Sequence, residues 1–148
     1  MKGIVCKRVI SELELKQAFA VRKSVFVDEQ NISEDDEWDG LDDAATQFIA
    51  INGKIVIGTG RVRFLDSHNA KIERMAVLKP FRRKGVGREI INVIEKSLKQ
   101  NNISTTILHA QWEAIPFYIA CGFKPIGVPF LEAGIKHIKM EKELGQNF

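Results

Sequence analysis

The heptapeptide from Arg82 to Arg88 constrains the fold more than any other stretch, because it joins a predicted strand to a predicted helix. Residues 71–78 before it are rich in branched and apolar side chains, which predicts a half-buried strand that ends by Pro80. After it, an apolar residue recurs every four positions up to Leu98, so we predict an amphipathic helix over residues 88–100. The chain therefore has a strand, a glycine-containing turn and a helix in direct succession.

The turn is both basic and rich in glycine, with the residues Arg82, Arg83, Lys84, Gly85, Val86, Gly87 and Arg88. Glycine allows the backbone to approach a ligand closely and to direct its N–H groups towards it. The start of the helix adds free N–H donors and the positive end of the helix dipole, and both favour phosphate. We therefore interpret the turn as a pyrophosphate-binding loop. The alternative is a basic, solvated helix start.

Two common phosphate-binding motifs do not fit this loop. A Walker loop requires Gly-Lys-Ser or Gly-Lys-Thr, and neither tripeptide occurs in the sequence. A dinucleotide-binding fingerprint requires a third small residue where Ile90 stands. The pattern Arg82-x-x-Gly85-x-Gly87 instead resembles the acetyl-CoA signature of the GCN5-related N-acetyltransferase (GNAT) family.

A second motif of the same family follows in the expected order. The family has a strand, then Asn-x-x-Ala-x-x-Phe-Tyr on a helix, and then Gly-Phe. The corresponding residues here are Ala114, Phe117, Tyr118, Gly122 and Phe123, with Gln111 in place of the usual Asn. The resemblance implies the α/β GNAT fold, in which helices flank a mixed, mostly antiparallel central sheet, and a single domain over residues 1–148.

Four further segments resemble the ElaA-type branch of the family, which are residues 26–30, 38–42, 109–111 and 132–137. That branch has only a generic N-acetyltransferase assignment, so it names no acceptor. The N-terminal half, with Arg22, Phe26 and Arg61, is also similar to acyl-homoserine lactone synthases, which share the fold. An acetyl-CoA-binding sensor without catalytic activity is a third hypothesis.

The resemblance implies acetyl-CoA as cosubstrate and direct attack on it by a primary amine of a small molecule or peptide. It also implies that the strand around Met75 pairs its backbone with the pantetheine arm. The predicted cofactor-binding residues are Met75, Ala76, Val77, Arg82, Arg83, Lys84, Gly85, Val86, Gly87, Arg88, Gln111 and Phe117.

Two residues are predicted to be catalytic. Tyr118 is the only tyrosine and stands where the family keeps a general acid for the departing thiolate; a phenol is protonated at neutral pH and can donate to it. The alternative is that Tyr118 has only a structural role, with its ring packed in the core. Glu73 precedes Met75 by two residues, so a regular strand would place both on one face, where Glu73 could deprotonate an ammonium. A structural ion pair is the alternative for Glu73.

The predicted acceptor-binding residues come from an acidic segment and two histidines. Residues 28–43 carry nine acids and no Lys or Arg, so the rest of the chain has a net charge of +12. An acidic rim would attract a protonated amine, with Glu29 and Asp36 as candidates. The alternative is a solvated acidic loop. His109 and His137 are interpreted as a base or as substrate ligands, with packing as the alternative.

Composition restricts the remaining function classes. The three histidines and two cysteines have no metal-ligand spacing, so we expect no metal. The basic loop lacks interleaved aromatic residues, which argues against nucleic acid. No apolar run reaches the ~20 residues of a membrane span, and the N-terminus lacks a signal-peptide core. We therefore expect a cytoplasmic protein without nucleic-acid or membrane partners. A homodimer is compatible with the sequence.

Overall fold

The computed structural model describes residues 3–145, in which seven strands form one sheet in the order β1-β2-β3-β4-β5-β7-β6. The strands are β1 (Ile4–Arg8), β2 (Thr46–Asn52), β3 (Ile55–Phe64), β4 (Asn69–Val77), β5 (Thr105–Gln111), β6 (Lys124–Glu132) and β7 (Ile135–Glu143). The α-helices in the same residues are α1 (Glu12–Arg22), α2 (Glu34–Glu37), α3 (Val86–Gln100) and α4 (Ile115–Ala120). Only the β4–β5 pairing is parallel among these strands. The predicted mixed, mostly antiparallel sheet is thus confirmed.

Helices cover both faces of the sheet because successive side chains of a strand point to opposite sides. On β2, Phe48 and Ala50 belong to the apolar cluster that includes α3, whereas Ile49 belongs to the cluster that includes α1. Helix α3 begins at Val86, two residues earlier than predicted, and its four-residue apolar repeat is buried against the sheet. Gly58 and Gly60 of β3 leave room for the side chains of this helix.

Strands β4 and β5 separate towards their carboxyl ends. Their parallel pairing runs from Asn69 opposite Thr105 to Ile72 opposite Leu108, whereas the two strands continue to Val77 and Gln111. The backbone at the end of β4 is therefore free of a β5 partner. This separation opens the sheet at the point where the two predicted motifs meet.

A β-bulge lies in β4 at the start of this separation. Thr59 of β3 pairs with Ala76, but Arg61 pairs with Glu73, so one β3 residue faces two residues of β4. Arg74 in the bulge has a φ of 55°, in the left-handed region. A bulge adds one residue and so reverses the alternation of side chains beyond it.

The bulge corrects one expectation from the sequence. Met75 packs on the α3 side of the sheet together with Ile72, whereas Glu73 faces the arginines of β3 on the other side. Glu73 and Met75 therefore do not share a face. The inference from the two-residue spacing was wrong, because it assumed a regular strand.

The segment after α1 connects the two halves of the separated sheet. α1 continues as a π-helical segment, Lys23–Glu29, whose end reaches the glycine loop and the end of β5. The acidic residues follow in α2 and in a short 3₁₀ turn, Asp42–Ala44. This arrangement places the acidic segment beside the β4 bulge, where Arg74 donates to the carbonyl oxygens of Asp36 and Glu37 at 3.2 Å each.

Candidate active site

A cavity of about 570 Å³ lies where β4 separates from β5. Three elements form its walls: the carboxyl end of β4, the glycine loop with the start of α3, and α4 with the turn before it. The predicted cofactor-binding residues in its lining are Met75, Ala76, Val77, Arg82, Arg83, Gly85, Val86, Gly87, Arg88 and Phe117. Lys84 and Gln111 lie outside this lining. Glu113, Ala114 and Cys121 line the cavity too, although sequence reasoning did not assign them to it.

The glycines of the loop have different structural roles. Gly85 has a φ of 84° and is the N-cap of α3, a conformation that side chains with a Cβ rarely adopt. A Cβ on Gly87 would lie 3.0 Å from Cζ of Phe117, so glycine lets that ring pack against the helix start. The first N–H groups of α3 have no partner within the helix and face this loop. These features suit a bound diphosphate.

Arg82 is held by contacts within the protein. Its Nε donates to the Val77 carbonyl oxygen at 2.8 Å, and its two terminal nitrogens donate to the Glu29 carboxylate at 2.6 and 2.7 Å. The hydrogen bonds from Arg82 lower the pKa of Glu29. Glu29, predicted to bind the acceptor, therefore lies against the cofactor loop, and its neighbour Gln30 accepts a 2.8 Å hydrogen bond from Gln111.

Tyr118 is a buried residue of α4 that lines the cavity. Its ring makes edge-to-face contacts with Phe117 and Phe123, with centroids 5.0 and 5.9 Å apart. Burial raises the pKa of Tyr118 above its ordinary value. The phenol is thus protonated over the whole neutral range and can act as a proton donor.

Glu73 lies in a buried group of opposite charges. It accepts a hydrogen bond from Arg61 at 2.6 Å and another from Arg63. Burial acts to raise the pKa of Glu73, but these hydrogen bonds outweigh it and the pKa is lowered overall. A carboxylate with a lowered pKa binds a proton weakly, so this environment argues against Glu73 as general base and favours the alternative of a structural ion pair.

Much of the acidic segment is engaged in the same charge cluster. Arg22 and Arg61 are fully buried, and the carboxylates around them are Glu37, Asp39, Asp42 and Glu73. Arg22 also lies over the rings of Phe19 and Trp38. The burial of Arg61 could not be predicted from its own strand, because a single strand pattern cannot reveal which distant carboxylates cover it. Glu34, Asp35 and Asp36 stay exposed on α2.

The two histidines meet on the sheet face opposite α3. His109 Nδ1 lies 3.0 Å from Glu132 Oε1, and His137 Nε2 lies 3.8 Å from the other oxygen of the same carboxylate. His137 Nδ1 lies 2.7 Å from the Ile135 carbonyl oxygen. Phe130 packs its ring edge-to-face on His109 and parallel to His137. Sequence reasoning proposed both histidines, but it did not identify Glu132 as their common partner.

The predicted acceptor residues are therefore distributed over three places. Glu29 contacts the cofactor loop, Asp36 is exposed beside the bulge, and His109 and His137 share Glu132. Within residues 3–145, no group of three or more His, Cys, Asp or Glu side chains is placed to hold a metal ion. In that same range no helix is long and apolar enough to cross a membrane.

Comparison with known proteins identifies the class. Residues 14–144 match the family model of the acetyltransferase (GNAT) domain, and the chain therefore belongs to the GNAT acetyltransferase family. It is 39% identical over 144 residues to the uncharacterized N-acetyltransferase YjcF of Bacillus subtilis, spanning 97% of this chain and 100% of that protein.

Solved structures agree with this family. A Lactobacillus plantarum protein superimposes with a TM-score of 0.89 at 27% identity, covering 97% of this chain and 99% of the other. ElaA of Escherichia coli has a TM-score of 0.79 at 25% identity, with coverage of 95% and 100%. The fold is therefore the GNAT fold, as the two signatures predicted.

Proposed function

We propose that this protein is an acetyl-CoA-dependent N-acetyltransferase that transfers an acetyl group to a primary amine of a small molecule or peptide. The observation that carries the proposal is the cavity between β4, the glycine loop and α4. It brings together all but two of the predicted cofactor-binding residues and adds the buried phenol of Tyr118. The name of the relative YjcF supports the same reaction class.

The residues around the cavity fit the parts of acetyl-CoA. The free N–H groups at the start of α3 and the side chains of Arg83 and Arg88 would bind the pyrophosphate. The backbone at the end of β4, which β5 leaves unpaired, would pair with the amides of the pantetheine arm. Both terminal nitrogens of Arg82 already donate to Glu29, so Arg82 could bind the pyrophosphate only while it keeps its contact with that carboxylate.

Acetyl-CoA, when bound, supplies an activated acyl group as a thioester. The protein would hold the acceptor amine beside it, and such positioning can contribute several kcal/mol to lowering the barrier. Tyr118 would donate its proton to the sulfur that leaves. These roles need only residues of this chain and no metal.

Calorimetric titration with acetyl-CoA tests the binding loop. Gly85→Val should weaken binding by about 2 kcal/mol, or roughly thirty-fold, because a residue with a Cβ displaces the loop N–H groups from the anion. Gly53→Val is the matched control, since Gly53 also has a positive φ and open space around it but lies in the β2–β3 turn. Equal affinity in folded Gly85→Val protein would contradict the proposed binding loop.

Turnover assays separate the enzyme from its two alternatives. We expect release of free thiol from acetyl-CoA in the presence of one or more amines from a panel of monoamines, polyamines and peptides. An acyl-homoserine lactone synthase would instead require S-adenosylmethionine and a longer acyl donor. Tight acetyl-CoA binding without transfer to any acceptor would favour the sensor.

A further inference from the structure

The paired side chains His109 and Glu132 lie outside the cavity, on the sheet face opposite α3. We infer that His109 is the general base of the proposed reaction and that Glu132 is the positioning residue that holds its imidazole in the reactive tautomer. This inference rests on the proposed N-acetyltransferase function. It assigns the deprotonation of the acceptor amine, for which Glu73 is unsuited because it is paired with Arg61 and Arg63. The acceptor class that it implies is an amine that arrives protonated.

The position of His109 follows from the strand register. Pairing between β4 and β5 ends at Ile72 opposite Leu108, and both of these side chains belong to the core under α3. The next residues, Glu73 and His109, therefore point to the opposite face, at the point where the two strands separate. His109 thus lies at the mouth of the separation on the side opposite the core, where an amine can approach.

The contacts of His109 leave one ring nitrogen available. Glu132 can only accept from Nδ1 while it is ionised, so the 3.0 Å contact selects the tautomer with its proton on Nδ1. Among residues 3–145, no hydrogen-bond partner faces Nε2, and 26% of the side chain is exposed. The lone pair on Nε2 can accordingly accept a proton from a ligand.

Neighbouring charges on each strand complete the environment of His109. Glu132 comes from β6, His137 and Lys139 from β7, and Glu73 from β4, where Arg61 and Arg63 already neutralise it. His137 is fixed by the Ile135 carbonyl oxygen and is only 8% exposed. Glu132 is therefore the carboxylate that can stabilise a positive imidazole of His109.

Transfer of the acetyl group to the amine requires two proton transfers from nitrogen and one to sulfur. His109 Nε2 accepts one proton from the ammonium, which frees the nitrogen lone pair. That pair forms the new N–C bond while the C–S bond of the thioester breaks and its electron pair leaves with sulfur. Tyr118 supplies one proton to that sulfur, the amide nitrogen loses its second proton to solvent, and water restores both side chains.

The basicity of the acceptor provides the first test. His109→Ala should lower kcat about a hundred-fold for the best strongly basic amine of the panel, which needs deprotonation. It should leave transfer to hydroxylamine, which is unprotonated at neutral pH, nearly unchanged after subtraction of the uncatalysed rate. His68→Ala, an exposed histidine in the β3–β4 turn, is the matched control and should leave both rates unchanged. Equal loss with both acceptors, or no loss with either, would overturn the role of His109.

The ring tautomer provides a second test that needs no turnover. Long-range ¹H–¹⁵N spectra of the unliganded protein should show His109 with its proton on Nδ1. Glu132→Ala should move the proton to Nε2, whereas Glu132→Gln, whose amide oxygen still accepts, should retain the Nδ1 form. An unchanged tautomer in Glu132→Ala would refute the positioning role of Glu132. If the wild-type protein acetylates no amine but the tautomer responds as expected, the proposed function fails and the pairing stands.

Discussion

At the scale of single residues, Tyr118 connects burial to chemistry. The side chain packs against Phe123 in the core and against the partly exposed Phe117, and at the same time it lines the cavity. Because burial raises its pKa, the phenol keeps its proton well into the alkaline range. A general acid and a core residue are therefore compatible roles for the same side chain.

Removal of the hydroxyl separates these two roles. Tyr118→Phe keeps the packing of the ring, so the affinity for acetyl-CoA should stay nearly unchanged, but kcat should fall about a hundred-fold. Because the pKa of Tyr118 is raised, the wild-type rate should show no loss from this group up to about pH 10. Steady-state thiol release and calorimetry measure the two quantities. Native turnover in the variant would show that the phenol is structural.

At the scale of secondary-structure elements, the sequence predicted the features that are encoded within one short stretch. It did not predict the features that depend on contacts between distant residues. The strand, glycine loop and helix around Gly85 could be predicted because their signals lie within one short stretch. The bulge at Arg74 could not, since the sequence of β4 alone does not show that two of its residues face Gly60. Burial of Arg61 depends on carboxylates more than ten residues away, which a local pattern cannot assign.

The charge cluster makes stability depend on pH. Asp39, whose side chain is 24% exposed, accepts hydrogen bonds from Arg61, and these lower its pKa below the ordinary value although burial acts to raise it. A carboxylate with a lowered folded-state pKa stabilises the protein above its unfolded-state pKa, about 4, and loses that contribution as the pH falls further. Asp39→Asn should therefore lower the free energy of unfolding by about 1–3 kcal/mol at neutral pH.

Urea unfolding at a series of pH values measures this effect. The difference between Asp39→Asn and wild type should narrow below about pH 4, by up to about 1.4 kcal/mol per pH unit. Asp28→Asn is the control, because the pair of Asp28 with Lys23 is exposed on the surface and should contribute little. A difference that stays constant with pH would show that Asp39 stabilises the fold by packing and not by charge.

At the scale of the whole molecule, the two sides of the sheet differ in charge at the separation between β4 and β5. The cavity beside α3 begins with the basic loop, whereas α2 holds three exposed carboxylates next to the β4 bulge. A sequence count of nine acids suggested a continuous acidic rim, but the arginines already neutralise several of them. The part that can still attract a cation is therefore smaller: it consists mainly of Glu34, Asp35 and Asp36 on α2, with Asp43 as a further exposed acid in the 3₁₀ turn.

This charge difference predicts how a cationic acceptor is recruited. Replacement of Glu34, Asp35 and Asp36 by their amides should raise KM for a positively charged amine several-fold at low salt, because it removes a long-range attraction that salt screens. The dependence of KM on ionic strength should become flatter, while the affinity for acetyl-CoA should not change. Glu37 must stay intact, because it forms a buried ion pair with Arg22 and removing one partner of such a pair is strongly destabilising.

A matched control variant distinguishes recruitment from a general change in net charge. Neutralising the exposed Glu12 on α1 together with Asp66 and Glu143 removes the same number of charges at three sites outside the acidic segment. That variant should keep the wild-type KM and its salt dependence. An unchanged KM in the α2 variant at low salt would mean that α2 does not attract the acceptor, and would favour an acceptor without net positive charge.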